Sequence, residues 1–257
     1  MSNPTAAHGS KVPAVTLGFW VVKIAATTLG ETGGDAVTMT MNLGYAVGTA
    51  IFFVVFLVLA AAQIRARSFH RFLYWGVIVA TTTVGTTLAD FADRSLGIGY
   101  IGGSSLLFVL VLIALGAWYL AEGSVSVNNI VTPRVEAFYW LTILTSNTLG
   151  TALGDFLADD GGLGFEGGAL VFGAGLAVLA ALYFVTPISR TLLFWAAFIL
   201  TRPLGATLGD LLTKPRGEGG LDLSRISSSA VIAIVIVICI SLMRQHKEAH
   251  STVAPPT

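Results

Sequence analysis

A pattern of Trp, Gly and Asp occurs four times along this apolar chain and restricts how the chain can fold. Each copy has a Gly ten residues after the Trp and an Asp five residues after that Gly. The copies extend over residues 20–35, 75–90, 140–155 and 195–210, and their starts are 55, 65 and 55 residues apart. This spacing indicates that a two-helix unit was duplicated and that the resulting half was duplicated again.

The composition places these repeats in a membrane. Of the 257 residues, 54% are hydrophobic and 11% are charged, which excludes a water-soluble domain of ordinary composition. Eight apolar stretches approach the roughly 20 residues that cross a bilayer. They lie near 14–34, 43–64, 72–89, 101–121, 137–154, 168–186, 190–209 and 229–243. We expect an all-α polytopic membrane protein with eight transmembrane helices, arranged as four parallel two-helix repeats.

The repeats also predict the domain organisation. Residues 1–125 and 126–257 form two halves, each with two helical-hairpin repeats, and Asn128 to Arg134 link them. A two-helix unit is too small to bury its own faces, so we expect one compact membrane bundle. A pseudo-fourfold ring, or two pseudo-twofold halves, is the natural packing for parallel repeats.

The distribution of Lys and Arg predicts the orientation in the membrane. One set of loops and termini carries Lys11, Arg65, Arg67, Arg71, Arg134, Arg190, Arg244 and Lys247. The opposite loops carry Arg94, Lys214, Arg216 and Arg225 together with most of the carboxylates. The positive-inside rule then places both termini in the cytoplasm and the acidic Gly-rich loops outside a bacterial inner membrane. Residues 1–13 show no pattern of a cleavable signal peptide.

Each odd-numbered helix is predicted to carry two stripes at helical periodicity. One stripe is made of small residues that allow close approach of helices, and it includes Gly30, Gly85, Gly150 and Gly205. The adjacent stripe is polar and contains Thr27, Glu31, Asp35; Thr82, Thr86, Asp90; Asn147, Thr151, Asp155; Arg202, Ala206 and Asp210. Four such helices would place these polar groups around a common interior, while the more apolar even-numbered helices would face lipid.

Five carboxylates of the polar stripe are the candidate cation ligands or proton carriers: Glu31, Asp35, Asp90, Asp155 and Asp210. The four Asp are tentative metal ligands, and each lies about 22 Å along a helix from its Trp. With the Trp in the inner aromatic belt, the Asp would line an outward-facing vestibule. Against these carboxylates stand Lys23 and Arg202, which leaves three negative charges if all groups are ionised. Such a site favours a cation, and oxygen ligands suit Mg²⁺, Mn²⁺, Ca²⁺ or protons.

The sequence therefore predicts a secondary transporter or channel for a small inorganic cation, with two alternatives. The Asp could instead cap Gly-rich loops in a structural or regulatory membrane protein. Alternatively, Lys23 and Arg202 could bind the substrate of an anion transporter. These two cations could also gate the bundle, or lock it by pairing with Glu31 and Asp210. Pro203 is expected to kink its helix.

Other classes of function find little support in the chain. No nucleophile grouping, phosphate-binding loop or zinc spacing occurs, so enzymatic activity is not expected. The four histidines lie in tails or loops (His8, His70, His246 and His250), so haem ligation within the membrane is not expected either. We expect no cofactor apart from a bound or transported cation. The expected partners are the bilayer and a small ion, with no nucleic acid; the oligomeric state is open.

The recurring theme Leu-Gly-x-x-Leu-Gly-Asp is clearest in Leu149 to Asp155 and in Leu204 to Asp210. In this respect the chain resembles a bacterial family described as uncharacterised repeat-containing or membrane-anchored integral membrane proteins. The resemblance covers nearly the whole chain. It implies an eight-span fold and brings no established activity or ligand.

Overall fold

The computed structural model describes residues 11–243, which contain eight long helices. They are α1 Leu17–Asp35, α2 Tyr45–Arg65, α3 Arg71–Asp90, α4 Tyr100–Glu122, α5 Pro133–Asp155, α6 Gly164–Val185, α7 Arg190–Thr213 and α8 Arg225–Leu242. The described residues contain no strand that extends beyond a single bridge residue. Several residues used in the sequence predictions lie outside this range: His8, Arg244, His246, Lys247 and His250.

The four odd-numbered helices form a closed ring. α1 packs against α3 and α7, and α5 packs against the same two helices from the opposite side. Each inner helix comes from a different repeat and carries its Asp at its C-terminal end. The pseudo-fourfold ring predicted from the parallel repeats is therefore the arrangement that the structure has.

The even-numbered helices form an outer layer with a constant offset. α2 packs on α3, α4 on α5 and α6 on α7, and α8 returns to pack on α1. Each outer helix thus covers the inner helix of the next repeat, and the last repeat covers the first. Many of their Leu, Val, Ile and Phe side chains are exposed, as expected of a surface that faces lipid.

Six of the eight helices are long and apolar enough to cross a membrane: α2, α3 with its following turn, α4, α6, α7 and α8. The other two, α1 and α5, belong to the inner ring. Their polar stripes account for the difference, since α1 alone carries Lys23, Glu31 and Asp35. The all-helical fold with four repeats is thus confirmed.

Three of the inner helices continue into a π-helical turn directly after the repeat Asp. These turns are Ala36–Thr40, Phe91–Ser95 and Phe156–Asp160. Residues with positive φ follow at the seventh and ninth positions after each Asp: Asn42 and Gly44, Gly97 and Gly99, Gly162 and Gly164. The fourth repeat differs, because α7 remains α-helical to Thr213 and has Lys214 as its C-cap.

The end of the ring opposite the Asp is filled by aromatic side chains. Trp75, Trp140 and Trp195 are only 1%, 2% and 4% exposed, and the hydroxyl groups of Tyr74 and Tyr139 share a hydrogen bond between them. These three Trp are therefore core residues of the bundle, and the depth expected for them, at the inner aromatic belt, stays a prediction. Their rings pack on those of Tyr74, Tyr139 and Trp118, so an aromatic cluster closes this end of the bundle.

Candidate functional site

The repeat glycines are the points at which neighbouring inner helices touch. A Cβ atom on Gly85 would lie 2.9 Å from the carbonyl carbon of Asn147, which is closer than real Cβ contacts. The same relation joins Gly30 to Thr82, Gly150 to Arg202 and Gly205 to Thr27. In every case the Gly of one repeat contacts the seventh residue after the Trp of the next repeat, and the fourth repeat contacts the first. The predicted close-packing stripe is confirmed.

Hydrogen bonds from the polar stripe also join each of three inner helices to the inner helix of the preceding repeat. Thr82 donates from Oγ1 to the carbonyl oxygen of Ala26 at 3.2 Å, and Thr27 donates to that of Thr201 at 3.2 Å. Asn147 donates from Nδ2 to Oγ1 of Thr81 at 3.0 Å. These bonds satisfy polar groups inside the bundle and join three of the four inner helices, α3, α1 and α5, to the preceding one in the ring.

Arg202 stands at the corresponding position of the fourth repeat and makes a different set of contacts. Its Nη2 atom lies 2.9 Å from Oε2 of Glu31 and also donates to Oγ1 of Thr86. Thr86 in turn donates to Oε2 of Glu31 at 3.2 Å. The Arg202–Glu31 pair joins the neighbouring helices α7 and α1, and the bond from Arg202 to Thr86 reaches α3 on the opposite side of the ring. Arg202 is fully buried and Glu31 is 3% exposed.

Lys23 has another partner than the one expected. Its Nζ atom donates to Oδ1 of Asn147 at 3.2 Å and lies 4.1 Å from the centre of the Phe198 ring. Within residues 11–243 it forms no ion pair with a carboxylate. The proposed pairing of Lys23 and Arg202 with Glu31 and Asp210 is present only between Arg202 and Glu31; it is wrong for Lys23, which interacts with an amide and an aromatic face. Lys23 lies two helical turns before Glu31 on the same helix, which explains why it does not pair there.

The remaining polar-stripe residue, Thr151, is fully buried. It donates from Oγ1 to the carbonyl oxygen of Asn147 in its own helix at 3.4 Å. Pro203 lies within α7, which runs without interruption from Arg190 to Thr213. Its Cδ atom would lie 3.0 Å from a Cβ on Gly150, so the Pro packs against the small stripe of α5.

The four repeat Asp lie at the other end of the ring, and each is near a cation. Arg94 contacts Asp90 at 3.1 Å and Asp155 at 4.0 Å. Lys214 contacts Asp35 and Asp210, each at 3.2 Å. The ring of Asp is therefore divided into two bridged pairs. All four Asp are 1–4% exposed, so they do not line an open vestibule.

These contacts change the charge balance expected from the sequence. Arg225 adds a further contact to Asp35 at 3.5 Å. Four cations (Arg94, Arg202, Lys214 and Arg225) therefore contact the five carboxylates, Glu31 and the four Asp, and Lys23 lies in the same interior without contacting them. The excess of three negative charges was expected because Arg94, Lys214 and Arg225 were not counted. If all groups are ionised, the interior is neutral as a whole and acidic only at the Asp end.

Three of the carboxylates form the tightest cluster. One oxygen atom from each of Glu31, Asp35 and Asp210 can be chosen so that all three lie within 4.8 Å of one another. Oδ1 of Asp35 has no hydrogen-bond partner among the described residues, although Asp35 is only 1% exposed. These groups could hold a cation with oxygen ligands. We call Glu31, Asp35 and Asp210 the acidic triad.

The Asp side chains do not act as caps of the turns that follow them. Asp35, Asp90 and Asp155 precede the three π-helical turns, and none of them makes a side-chain cap hydrogen bond there. Their described partners are cations from loops and helix ends. The glycines beyond each Asp instead provide the positive φ values of the connection to the next helix.

Lys214 is held strongly by its two carboxylates. Burial lowers the pKa of Lys214, but the nearby Asp210 and Asp35 carboxylates raise it by more, so the pKa lies above the ordinary lysine value. Its ammonium group is therefore charged at physiological pH. The residue is 7% exposed and reaches the acidic triad from the end of α7.

The repeats themselves identify the family. The family described as "Repeat of Unknown Function (DUF347)" matches four segments of the chain, at residues 18–69, 73–124, 138–189 and 193–246. The chain belongs to this family. Each matched segment contains one inner helix and the outer helix that follows it, which confirms the repeat unit expected from the sequence. No curated protein and no solved structure matches the chain.

Three cations of the site, Arg94, Lys214 and Arg225, were not predicted from the sequence to belong to it. Arg94 and Lys214 each lie four residues after a repeat Asp, at Asp90 and Asp210. A spacing of four places both side chains on one face of a continuing helical turn. That signal was present in the sequence. Arg225 lies at the first residue of α8 and has no comparable local signal.

Proposed function

We propose that the protein is a secondary transporter or channel for a small inorganic cation, either a divalent metal such as Mn²⁺ or a proton-coupled ion. The acidic triad is the proposed binding site. The observation that carries the proposal is the convergence of its three carboxylates, from two helices of different repeats, within a buried region. Buried carboxylates are costly in a membrane unless they serve as ligands or carriers. Asp90 and Asp155 would then be a second carboxylate pair at the same end of the ring.

We also propose that all eight helices span the membrane. α1 and α5 complete the ring with α3 and α7 and present their Asp at the same end, so they would cross at the same depth. By the positive-inside rule, both termini would lie in the cytoplasm and the acidic Gly-rich loops outside a bacterial inner membrane. The Asp end of the ring would face outward.

In this proposal, transport requires ion pairs to open on both sides of the acidic triad. The Arg202–Glu31 pair closes the ring toward the Trp end, and Lys214 lies over the triad at the Asp end. An ion would enter when the outer cations move aside and would leave when Arg202 releases Glu31. Parallel repeats do not provide the inverted symmetry of rocking transporters, so local rearrangement of these side chains is the proposed gate.

Two alternative functions each have a specific observation in their favour. A structural or regulatory role is favoured because every repeat Asp has a cation within 4.0 Å, so the Asp could serve only to lock the bundle. An anion transporter is favoured because Nε and Nη1 of Arg202 have no hydrogen-bond partner among the described residues. Lys23 would be the second cation of that site.

Flux measurements in liposomes separate these functions. Protein reconstituted with an internal Mn²⁺-sensitive or pH-sensitive dye is expected to transport Mn²⁺, protons or both, and Asp210→Asn is expected to abolish the flux. Asn keeps the size of Asp while removing its charge. Asp160→Asn is the matched control, because Asp160 is exposed, and it should transport like the wild type.

Several outcomes would contradict the proposal. Absence of flux of Mn²⁺, Mg²⁺, Ca²⁺, K⁺, Na⁺ and protons in the wild type would favour the structural role. Wild-type flux in Asp210→Asn would remove the acidic triad from the path. Chloride flux that depends on Lys23 and Arg202 would favour the anion transporter.

A further inference from the structure

The position of Lys214 suggests how the acidic triad is kept neutral. Its Nζ atom lies 3.2 Å from Oδ2 of Asp35 and 3.2 Å from Oδ1 of Asp210. These are two of the three carboxylates that are close enough to share one metal ion. The ammonium group therefore contacts the same carboxylates that would bind the cation.

The charges around the triad favour the departure of one protein cation when a divalent ion binds. Glu31, Asp35 and Asp210 contribute three negative charges, and they are balanced by Arg202, Lys214 and Arg225. If a divalent cation bound to the triad while all three protein cations stayed in place, the buried region would carry two excess positive charges, which is costly. Departure of one protein cation would halve that excess.

Among the three cations, Lys214 is the one that contacts two carboxylates of the triad and still reaches solvent. Its side chain is 9% exposed, whereas that of Arg202 is fully buried; Arg225 is 22% exposed but contacts only Asp35. It ends α7, and the residues that follow, Pro215 to Gly219, are exposed. Its backbone is held independently, because its amide donates to the carbonyl of Asp210 at 2.8 Å and its carbonyl accepts from the amide of Asp222 at 3.0 Å. The flexible four-carbon stem can therefore swing while the backbone stays in place.

We propose that the Lys214 ammonium is a tethered counter-ion of the cation site, which a divalent cation must displace in order to bind. This inference rests on the proposed function of the acidic triad. A second observation that points to a ligand is Oδ1 of Asp35, which is buried and lacks a partner. Lys214 thus sets the affinity: it competes with the ion at every binding event and returns when the ion departs.

The experiment measures Mn²⁺ binding to the full-length protein in detergent, by the loss of the electron paramagnetic resonance signal of free Mn²⁺. Lys214→Met removes the competing charge and should bind Mn²⁺ at least about tenfold more tightly than the wild type. Lys214→Arg keeps the charge and should bind like the wild type. Arg216→Met is the control, because it removes an equal charge from an exposed position two residues away and should leave the affinity unchanged.

The outcomes separate the two proposals. Equal Mn²⁺ affinity of Lys214→Met and the wild type would overturn the counter-ion role while the cation site remains. Absence of Mn²⁺ binding in both proteins would overturn the metal site and the counter-ion role together. Binding by Lys214→Met alone would support the counter-ion role and contradict Mn²⁺ transport by the wild type.

A measurement on the wild type keeps the test independent of whether Lys214→Met folds. An amine-reactive acetylating reagent, followed by mass spectrometry of the peptide, reports how accessible Lys214 is. MnCl₂ should increase the acetylation of Lys214 relative to choline chloride at equal ionic strength, because the displaced ammonium group moves into solvent. Unchanged or decreased acetylation would overturn the proposal.

Discussion

The Nη2 atom of Arg202 lies 2.9 Å from Oε2 of Glu31, and this pair joins the last repeat to the first between two adjacent helices of the ring. Both side chains are buried, with 0% and 4% exposure. Removal of one partner from a buried pair leaves an uncompensated charge, which typically costs about 3–5 kcal/mol. The pair is therefore expected to matter for stability independently of transport.

Replacement of Arg202 by Met is expected to destabilise the protein by about 3–5 kcal/mol, because Glu31 loses its cation in a buried environment. The double variant Arg202→Met with Glu31→Gln should recover a large part of that loss, since the buried charge is then absent. Unfolding in detergent, followed by circular dichroism, measures both effects.

Arg134→Met is the matched control for this pair. Arg134 contacts Glu122 at 3.1 Å but is 69% exposed, so its loss should cost no more than about 1 kcal/mol. Equal stability of Arg202→Met and Arg134→Met would show that the central pair is not what holds the ring together.

The second prediction concerns the glycine contacts. Gly85→Ala places a methyl group 2.9 Å from the backbone of Asn147 in the adjacent helix, so the helices must separate. Overpacking of this kind costs about 1–3 kcal/mol. Gly116→Ala is the control, because a Cβ there meets nothing within 4 Å, and helix propensity should stabilise it by about 0.5–1 kcal/mol. Thermal unfolding of both variants should give shifts of opposite sign; a stabilised Gly85→Ala would contradict the close contact.

The third prediction concerns Lys23, which the structure separates from the carboxylates. Lys23→Met removes a hydrogen bond to Asn147 and leaves Glu31 paired with Arg202. We expect a loss of about 1–3 kcal/mol, the usual cost of leaving a buried polar partner unsatisfied. The pH dependence of flux should remain that of the wild type. A shifted pH profile would show that Lys23 acts on the carboxylates after all.

The fourth prediction uses the raised pKa of Lys214. A lysine whose folded-state pKa lies above its unfolded value contributes stability in full below the unfolded pKa of about 10.4, and that contribution declines as the pH rises further. The stability difference between the wild type and Lys214→Met should therefore be constant from pH 7 to 10 and shrink above it. Unfolding in detergent as a function of pH measures this difference, and Arg216→Met should show no such decline. A gap that widens above pH 10 would contradict the assignment.

Much of the fold could be predicted from the sequence because helix lengths and helix contacts depend on residues that are close together in the chain. Apolar runs marked the helices to within a few residues, and small residues at every fourth position marked the contacts of the ring. The exact recurrence of Gly and Asp then implied a common depth for the four repeats. The offset by which each outer helix covers the next repeat left no local signal, since it depends on packing between segments far apart in the chain.

The candidate site was predicted less completely. Its carboxylates were found because charged residues stand out in an apolar helix, and Arg202 was found for the same reason. The pairing of Arg202 with Glu31 could not be derived, because it depends on how far the helices slide past one another in the ring. Arg94 and Lys214 were assigned to loops, since the π-helical turn after Asp90 and the helical extension of α7 to Thr213 cannot be read from hydropathy.

The packing of α8 on α1 has a consequence for synthesis. The first helix leaves the ribosome long before either α7 or α8 exists, so Glu31 and Asp35 are at first without Arg202, Lys214 and Arg225. The ion pairs of these two acids can form only after the last quarter of the chain has been synthesised. A chain that ends before α7 would therefore contain Glu31 and Asp35 without the three cations that contact them, so this part of the ring can form only when the last repeat is present.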